Sequence, residues 1–329
     1  MNFNDPIDIT AVNTAVKAHS KQILAIDHQA ADAMLRHMTP MVGITDSYTF
    51  TEAYFKSVSS RYTGVFKDQK NIGSFGNRTL TVHPCVIEIL DEPERYRRTY
   101  ITEVRGALEI AKHPFEIWLI NRILQQASED LLPCIWTAKY DETGAKTDLK
   151  DSFDGLGVHI KNAKADKTID AEKGNLVATG KFTRADVGDK MLSMWRHMPE
   201  LFRNQKSKMY IPFAVGDMYD DWFADEHPNV HEPGQSPDET KQQTLYGTKG
   251  MCEIVRCSGM PDDSSFSMLT LQSNVVYGMD KQSDMRKLRA VPADYMFKAL
   301  GKYVFGTQFT TFRREIFCCN DQPVDPADV

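Results

Sequence analysis

The sequence predicts an α+β fold, and three observations carry that expectation. A β-rich run at residues 80–89 precedes a long amphipathic helical stretch at 114–132, and strand-like segments crowd residues 251–318. These elements do not alternate in regular β-α units, so a doubly wound parallel sheet is not expected. The composition fits a folded chain: 41% of the 329 residues are hydrophobic and 26% are charged, enough apolar material for a sizeable core.

Residues 7–38 read as helical, with Val12, Val16, Ile23, Leu24, Ala30, Ala31, Met34 and Leu35 at helical spacing. Pro40 and Gly43 stop the pattern. Apolar residues are thin here, so residues 1–63 are expected to be an arm that packs on a neighbour. Residues 64–106 are expected to form a long hairpin. Leu80, Val82, Val86, Ile87 and Ile89 mark its first strand, Asp91-Glu92-Pro93-Glu94 its turn, and Tyr96–Val104 its return. The turn region is charged with both signs: Glu88, Glu92 and Glu94 lie beside Arg95, Arg97 and Arg98. Such a hairpin, with few large apolar residues near its tip, cannot anchor itself in a core. Two readings stay open, a solvated hairpin and a projecting arm that pairs with a neighbouring subunit through these six charges.

The helix that follows opens at Pro114, where a missing N–H costs nothing. Phe115, Trp118, Leu119, Ile123, Leu124, Ala127 and Leu131 recur at three- and four-residue steps, a stripe expected to pack in a core. Pro133 is expected to interrupt it, with Ile135 and Trp136 continuing after a kink. Further on, Thr183-Arg184-Ala185-Asp186 has the form of a capping box opening a helix through Met198. Lys208–Phe213 reads as a strand ended by Pro212, and Asp217–Phe223 as another helix start. Pro228, Pro233, Gly234 and Pro237 punctuate a long polar loop. Strands are expected at 251–255, 267–277, 303–309 and 312–318.

Signals for chemistry are weak. The sequence contains no G-x-G-x-x-G, no P-loop, no G-x-S-x-G and no H-E-x-x-H. His227 and His231 are four apart, but Pro228 between them works against helical ligand geometry. Asp217, Asp220 and Asp221 read as acids favoured at a helix start. Arg203, Lys206 and Lys208 read as a solvated basic face. The six cysteines are scattered without a C-x-x-C and are expected to be reduced, buried thiols. Cys318 and Cys319, neighbours in a strand, are expected to point to opposite faces. No catalytic, cofactor or metal residues are assigned, and an enzyme is not expected. The net charge of −6 gives no general attraction for nucleic acid. No run of about 18 apolar residues occurs, and Met1–Thr10 lacks the pattern of a signal peptide.

The order of elements carries a resemblance. A helical arm, a charged hairpin, a long amphipathic helix, a mixed region and a strand-rich end resemble the HK97-type major capsid proteins of tailed bacteriophages. Ser273–Asp280 is similar to the strand and Gly-x-Asp segment that closes their axial domain, and Val304–Ile316 to their terminal peripheral strands. The resemblance implies an N-terminal arm at 1–63, an E-loop at 64–106, and a spine helix with the first part of the peripheral domain at 107–154. It implies an axial domain at 155–280 and peripheral return strands with a tail at 281–329. It further implies a shell subunit that assembles with itself into pentamers and hexamers and encloses double-stranded DNA through weak, non-specific contact. Portal, and scaffold or decoration proteins, would be its other partners, with assembly in the host cytoplasm and no membrane or cofactor. Residues 77–106 contain no lysine, so the covalent crosslink of some members is not expected. A large built-in scaffold before the hairpin is likewise not expected. Encapsulin-like compartments, other virion components and an enzyme of unrecognised family are the alternatives.

Overall fold

A computed structural model of the chain describes residues 33–55, 59, 61, 73–92, 95, 96, 99, 115–226, 244–280, 288–293 and 296–328. The first part carries strands β1 (Thr39–Val42), β2 (Ser47–Phe55), β3 (Gly73–Thr81) and β4 (His83–Asp91), then helix α1 (Phe115–Thr137). The middle carries α2 (Leu156–Ala165), β5 (Leu176–Val177), α3 (Val187–His197), α4 (Glu200–Arg203), β6 (Ser207–Pro212) and α5 (Phe213–Glu226). Strands β7 (Cys252–Cys257), β8 (Met268–Thr270), β9 (Val275–Met279), β10 (Leu288–Ala293), β11 (Met296–Phe309) and β12 (Phe317–Asn320) complete the fold.

Strand β11 organises the first sheet. It pairs antiparallel with β4 along 297–305, with β10 along 296–301 and with β9 along 306–309. Strand β1 adds parallel to β9. In β4 the period-two alternation turns Cys85, Ile87 and Ile89 inward and leaves Val86, Glu88 and Leu90 exposed. The second sheet has the order β5-β12-β8-β6-β7. Strands β2 and β3 form a separate antiparallel ribbon.

One core joins the two sheets. Leu131, Ile135 and Trp136 of α1 and Leu156 and Ile160 of α2 pack with Tyr210, Tyr277, Phe305, Phe309 and Phe317. The opposite face of the second sheet is closed by α3, α4 and α5 through Met191, Met194, Phe202, Tyr219 and Trp222. Cys318 belongs to this second cluster and Cys319 to the first, so the two cysteines do point to opposite faces. All six cysteines are buried and unpaired. Burial pushes the Cys134 thiol up to about 11 and those of Cys85, Cys252 and Cys319 to about 12.

Several expectations shift. The antiparallel ribbon is formed by 47–55 with 73–81, not by 80–89 with 96–104. Strand β4 pairs with β11, and Arg95, Tyr96 and Thr99 are helical. The local turn signal at 91–94 was weaker than the long-range gain of adding β4 to the sheet. Helix α1 runs through Pro133 as one element. Pro133 has no N–H to give to the Glu129 carbonyl, and the helix carries that one lost bond near its C-terminal end. Helix α5 starts at Phe213, so Asp217, Asp220 and Asp221 do not sit at its first turn. Strand β9 belongs to the first sheet, and β12, four residues from Phe317, to the second. Most of the expected helix 7–38 lies outside the described residues, which begin with one helical stretch at 33–35.

The link from β3 to β4 crosses the first sheet at close range. Gly306 of β11 faces Gly278 of β9. A Cβ on Gly306 would stand 2.2 Å from the Thr81 carbonyl oxygen, and one on Gly278 2.6 Å from Val82 Cγ1. Replacing Gly306 by Ala should therefore cost about 3 kcal/mol in urea unfolding, since the obstacle is backbone. Gly76→Ala, where nothing lies within 4 Å, should stay within about 0.5 kcal/mol of wild type.

Candidate assembly interface

A two-stranded ribbon is at best marginally stable in water, so the β2–β3 ribbon needs support. Its two faces differ. Side chains of Phe50, Glu52, Arg78 and Leu80 turn toward the body, while Thr49, Thr51, Ala53, Phe55, Phe75, Asn77 and Thr79 are exposed. At the base, Leu80 is fully buried and joins Ile44, Val82 and Val276, with Phe50 packed against them. Further out, the support becomes polar and comes from the segment after β11. Glu52 accepts from Arg313 Nε at 2.8 Å and from Thr311 Oγ1 at 2.8 Å. The Arg313 guanidinium also lies 4.6 Å above the Tyr54 ring, and the Arg78 guanidinium 4.0 Å above that of Phe312. Burial lowers the pKa of Arg78 from its usual value, an effect opposed by Asp166 and Glu52. Gln308 Nε2 donates to the Thr79 carbonyl.

This support reaches Tyr54 on the inner face of the ribbon, next to the last described pair. Phe55 is 59% exposed and Phe75 72% exposed, both on the outer face. Two large aromatic side chains exposed on the outer face of the described ribbon are the kind of feature that marks a contact surface.

The residues singled out from sequence are placed as follows. Glu88 is exposed on the outer side of β4, between the exposed Val86 and Leu90. Arg95 pairs with Glu92 at 3.3 Å and with Asp91 at 3.7 Å, and Asp91 also accepts from the Tyr96 hydroxyl. These exposed pairs add little stability. Glu94, Arg97 and Arg98 lie outside the described residues. Phe115 opens α1. Leu124 is buried with Ile120 and Ala299, and Leu119 and Ile123 pack on the same cluster beside Ile87 and Ile89. Trp118 is only half-buried; it lines a groove between α1 and β4, with Arg122 5.9 Å from its ring.

Other groups are explained by pairing. Asp217 and Asp220 hold Arg256 of β7, and Asp221 and Asp225 hold Arg184. Lys208, read from sequence as part of a solvated basic face, is instead largely buried and meets His37 and Glu253. His227 and His231 lie outside the described residues. Among the described residues, no group of three or more His, Cys, Asp or Glu side chains could hold a metal. No described helix is long and apolar enough to cross a membrane. Sequence reasoning missed Glu52, Arg78 and Arg313, because their partners are separated by more than two hundred residues and no local pattern marks them.

No family model matches the sequence, and no curated protein matches it. Solved structures do match. A chain from the satellite phage P4 procapsid, solved with the size determination (Sid) protein, aligns with a TM-score of 0.53 at 10% identity. The alignment covers 92% of this chain and 90% of that one. This chain has a phage-capsid fold. A chain from the capsid of an empty GTA particle gives a TM-score of 0.51 at 9% identity, over 89% and 90% of the two chains. At such identities the likeness is one of fold, and it agrees with the HK97-type resemblance in the order of elements.

In this capsid fold the polar clamp is the part of the ribbon's support that a single substitution can remove. Arg313→Ala deletes both the ion pair to Glu52 and the contact with Tyr54. Hydrogen exchange in 47–55 and 73–81 should rise about tenfold, while the amides of β11 keep their protection.

Proposed function

We propose that this chain is a major capsid protein, the repeating subunit of an icosahedral shell that encloses double-stranded DNA. The observation that carries this reading is the pair of exposed aromatic side chains on the ribbon, Phe55 and Phe75, on a chain with a phage-capsid fold. A closed shell needs one surface of each subunit to fit a different surface of the next around five- and six-fold rings. Permanent contacts of that kind bury roughly 2,000–5,000 Å². A projecting ribbon supplies such area without enlarging the core of the subunit.

In this reading the projecting arm is centred on residues 47–81, displaced from the 64–106 span expected from sequence. Helix α1 is the spine of a peripheral domain built on the first sheet, and the second sheet with α3, α4 and α5 forms the axial domain. The chain's main partners are copies of itself in pentamers and hexamers, then neighbouring capsomers, a portal, and scaffold or decoration proteins. Its place is the virion capsid, assembled in the host cytoplasm. The role is structural and not enzymatic. With a net charge of −6, its contact with DNA is weak and not sequence-selective.

Charges near the end of β4 serve register. Glu88, Glu92, Glu94, Arg95, Arg97 and Arg98 meet a neighbour, where like-charge placement penalises wrong docking. The double variant Arg97→Glu/Arg98→Glu should keep its circular dichroism and melting behaviour but sediment as small species. Normal shells from that variant would remove the register role.

A further inference from the structure

We propose that His37 is the core of an acid-labile latch, which fastens residues 36–39 to the second sheet at neutral pH and releases them as pH falls. The segment lies at an unusual place. Strand β1 belongs to the first sheet through β9, yet the residues just before it are tied to β6 of the second sheet and to Gln272. The Tyr210 hydroxyl of β6 donates to the His37 carbonyl at 2.5 Å. Gln272 Nε2 donates to the carbonyls of Arg36 at 2.8 Å and Met38 at 3.4 Å, and Thr39 Oγ1 donates to the Gln272 carbonyl. Met34, Leu35 and Met38 are buried in the shared core. The latch therefore bridges the two sheets at the point where residues 1–32 join the described body.

The imidazole sits in the middle of these ties, with its side chain 14% exposed. Lys208 Nζ of β6 is 2.8 Å from Nδ1, and Arg36 Nε is 3.2 Å from Nε2. Glu253 of β7 lies 3.7 Å from Nδ1 and 3.4 Å from the Lys208 ammonium. Arg36, Lys208, Tyr210 and Glu253 are the titratable groups that face the ring. Both ring nitrogens thus look at cationic donors, and the neutral ring can accept from only one of them. Nδ1 can accept from Lys208 only while the ring is neutral, since an imidazolium has no lone pair to offer. Protonation would set an N–H against an ammonium and place a third positive charge between two others, with one carboxylate to offset them. The Lys208–Nδ1 hydrogen bond would then give way to repulsion, which works against the carbonyl ties from Tyr210 and Gln272.

Burial, and next the Lys208 charge, lower the pKa of His37 from 6.5 to about 4. The sign follows from proton binding. The fastened form binds fewer protons than the released form, where the imidazole regains its ordinary value. The fastened form is fully favoured above about pH 6.5 and loses ground as pH falls toward 4, by at most about tenfold per pH unit. All the groups that form the device lie in one chain.

Hydrogen exchange of the full chain at pH 7.5 and pH 5.0, corrected for intrinsic rates, tests it. The expected result is a fall in protection of about ten- to thirtyfold across residues 36–42 at pH 5.0, with β6, β8 and β12 unchanged. His37→Gln, which keeps an acceptor but cannot titrate, should abolish the pH dependence. Unchanged protection of residues 36–42 in the wild type, or loss of protection throughout the body at once, would overturn the latch. So would a His37→Gln chain that loosens in acid as the wild type does. The wild-type histidine C2-hydrogen exchange profile gives an independent reading that needs no variant. A His37 pKa near 4 supports the latch, and one near 6.5 contradicts it.

Discussion

The link between β3 and β4 lies against the Gly278–Gly306 pair, and this close approach fixes where the ribbon leaves the body. On one side of the crossing, β4 runs along β11 and supports helix α1 through Ile87, Ile89 and Ala299. On the other, β2 and β3 extend beyond the sheet as a ribbon. A side chain at Gly306 would push Thr81 away and loosen both at once. The same strand, β11, carries on into the segment whose Thr311 and Arg313 hold Glu52. The exit point of the ribbon and its clamp are thus consecutive parts of one stretch of chain, which ties the direction of the ribbon to the first sheet.

Support along the ribbon changes in kind with distance from the body. The base is apolar, with Leu80 and Val82 buried, and such contacts are insensitive to salt. The middle rests on one ion pair and two cation–π contacts, each partly exposed and of modest strength. On the outer face, toward the last described pairs, Phe55 and Phe75 stand in solvent.

The α+β class, helix α1 and the opposite orientation of Cys318 and Cys319 were legible in the sequence, because they rest on local periodicity. So was the presence of a hairpin before α1, but not which strands make it. The β-rich run at 80–89 looked like half of a hairpin because Asp91–Glu94 is a good turn signal. Its true partner, β11, lies more than two hundred residues away. The ribbon strand β2, SYTFTEAYF, is polar enough to pass for part of a loosely packed arm. The clamp residues Glu52, Arg78 and Arg313 left no local trace for the same reason. Lys208 looked like surface because a charge beside Lys206 usually is; burial against His37 and Glu253 is set by tertiary packing alone.

The central claim is that this phage-capsid fold builds a shell from copies of itself. Electron microscopy of the full chain, expressed alone and together with the genes that flank it, addresses that claim most directly. The account predicts closed particles whose faces resolve into five- and six-fold rings, with the β2–β3 ribbon of each subunit lying on its neighbour. A chain that stays monomeric under both conditions, with Phe55 and Phe75 free in solution, would contradict it.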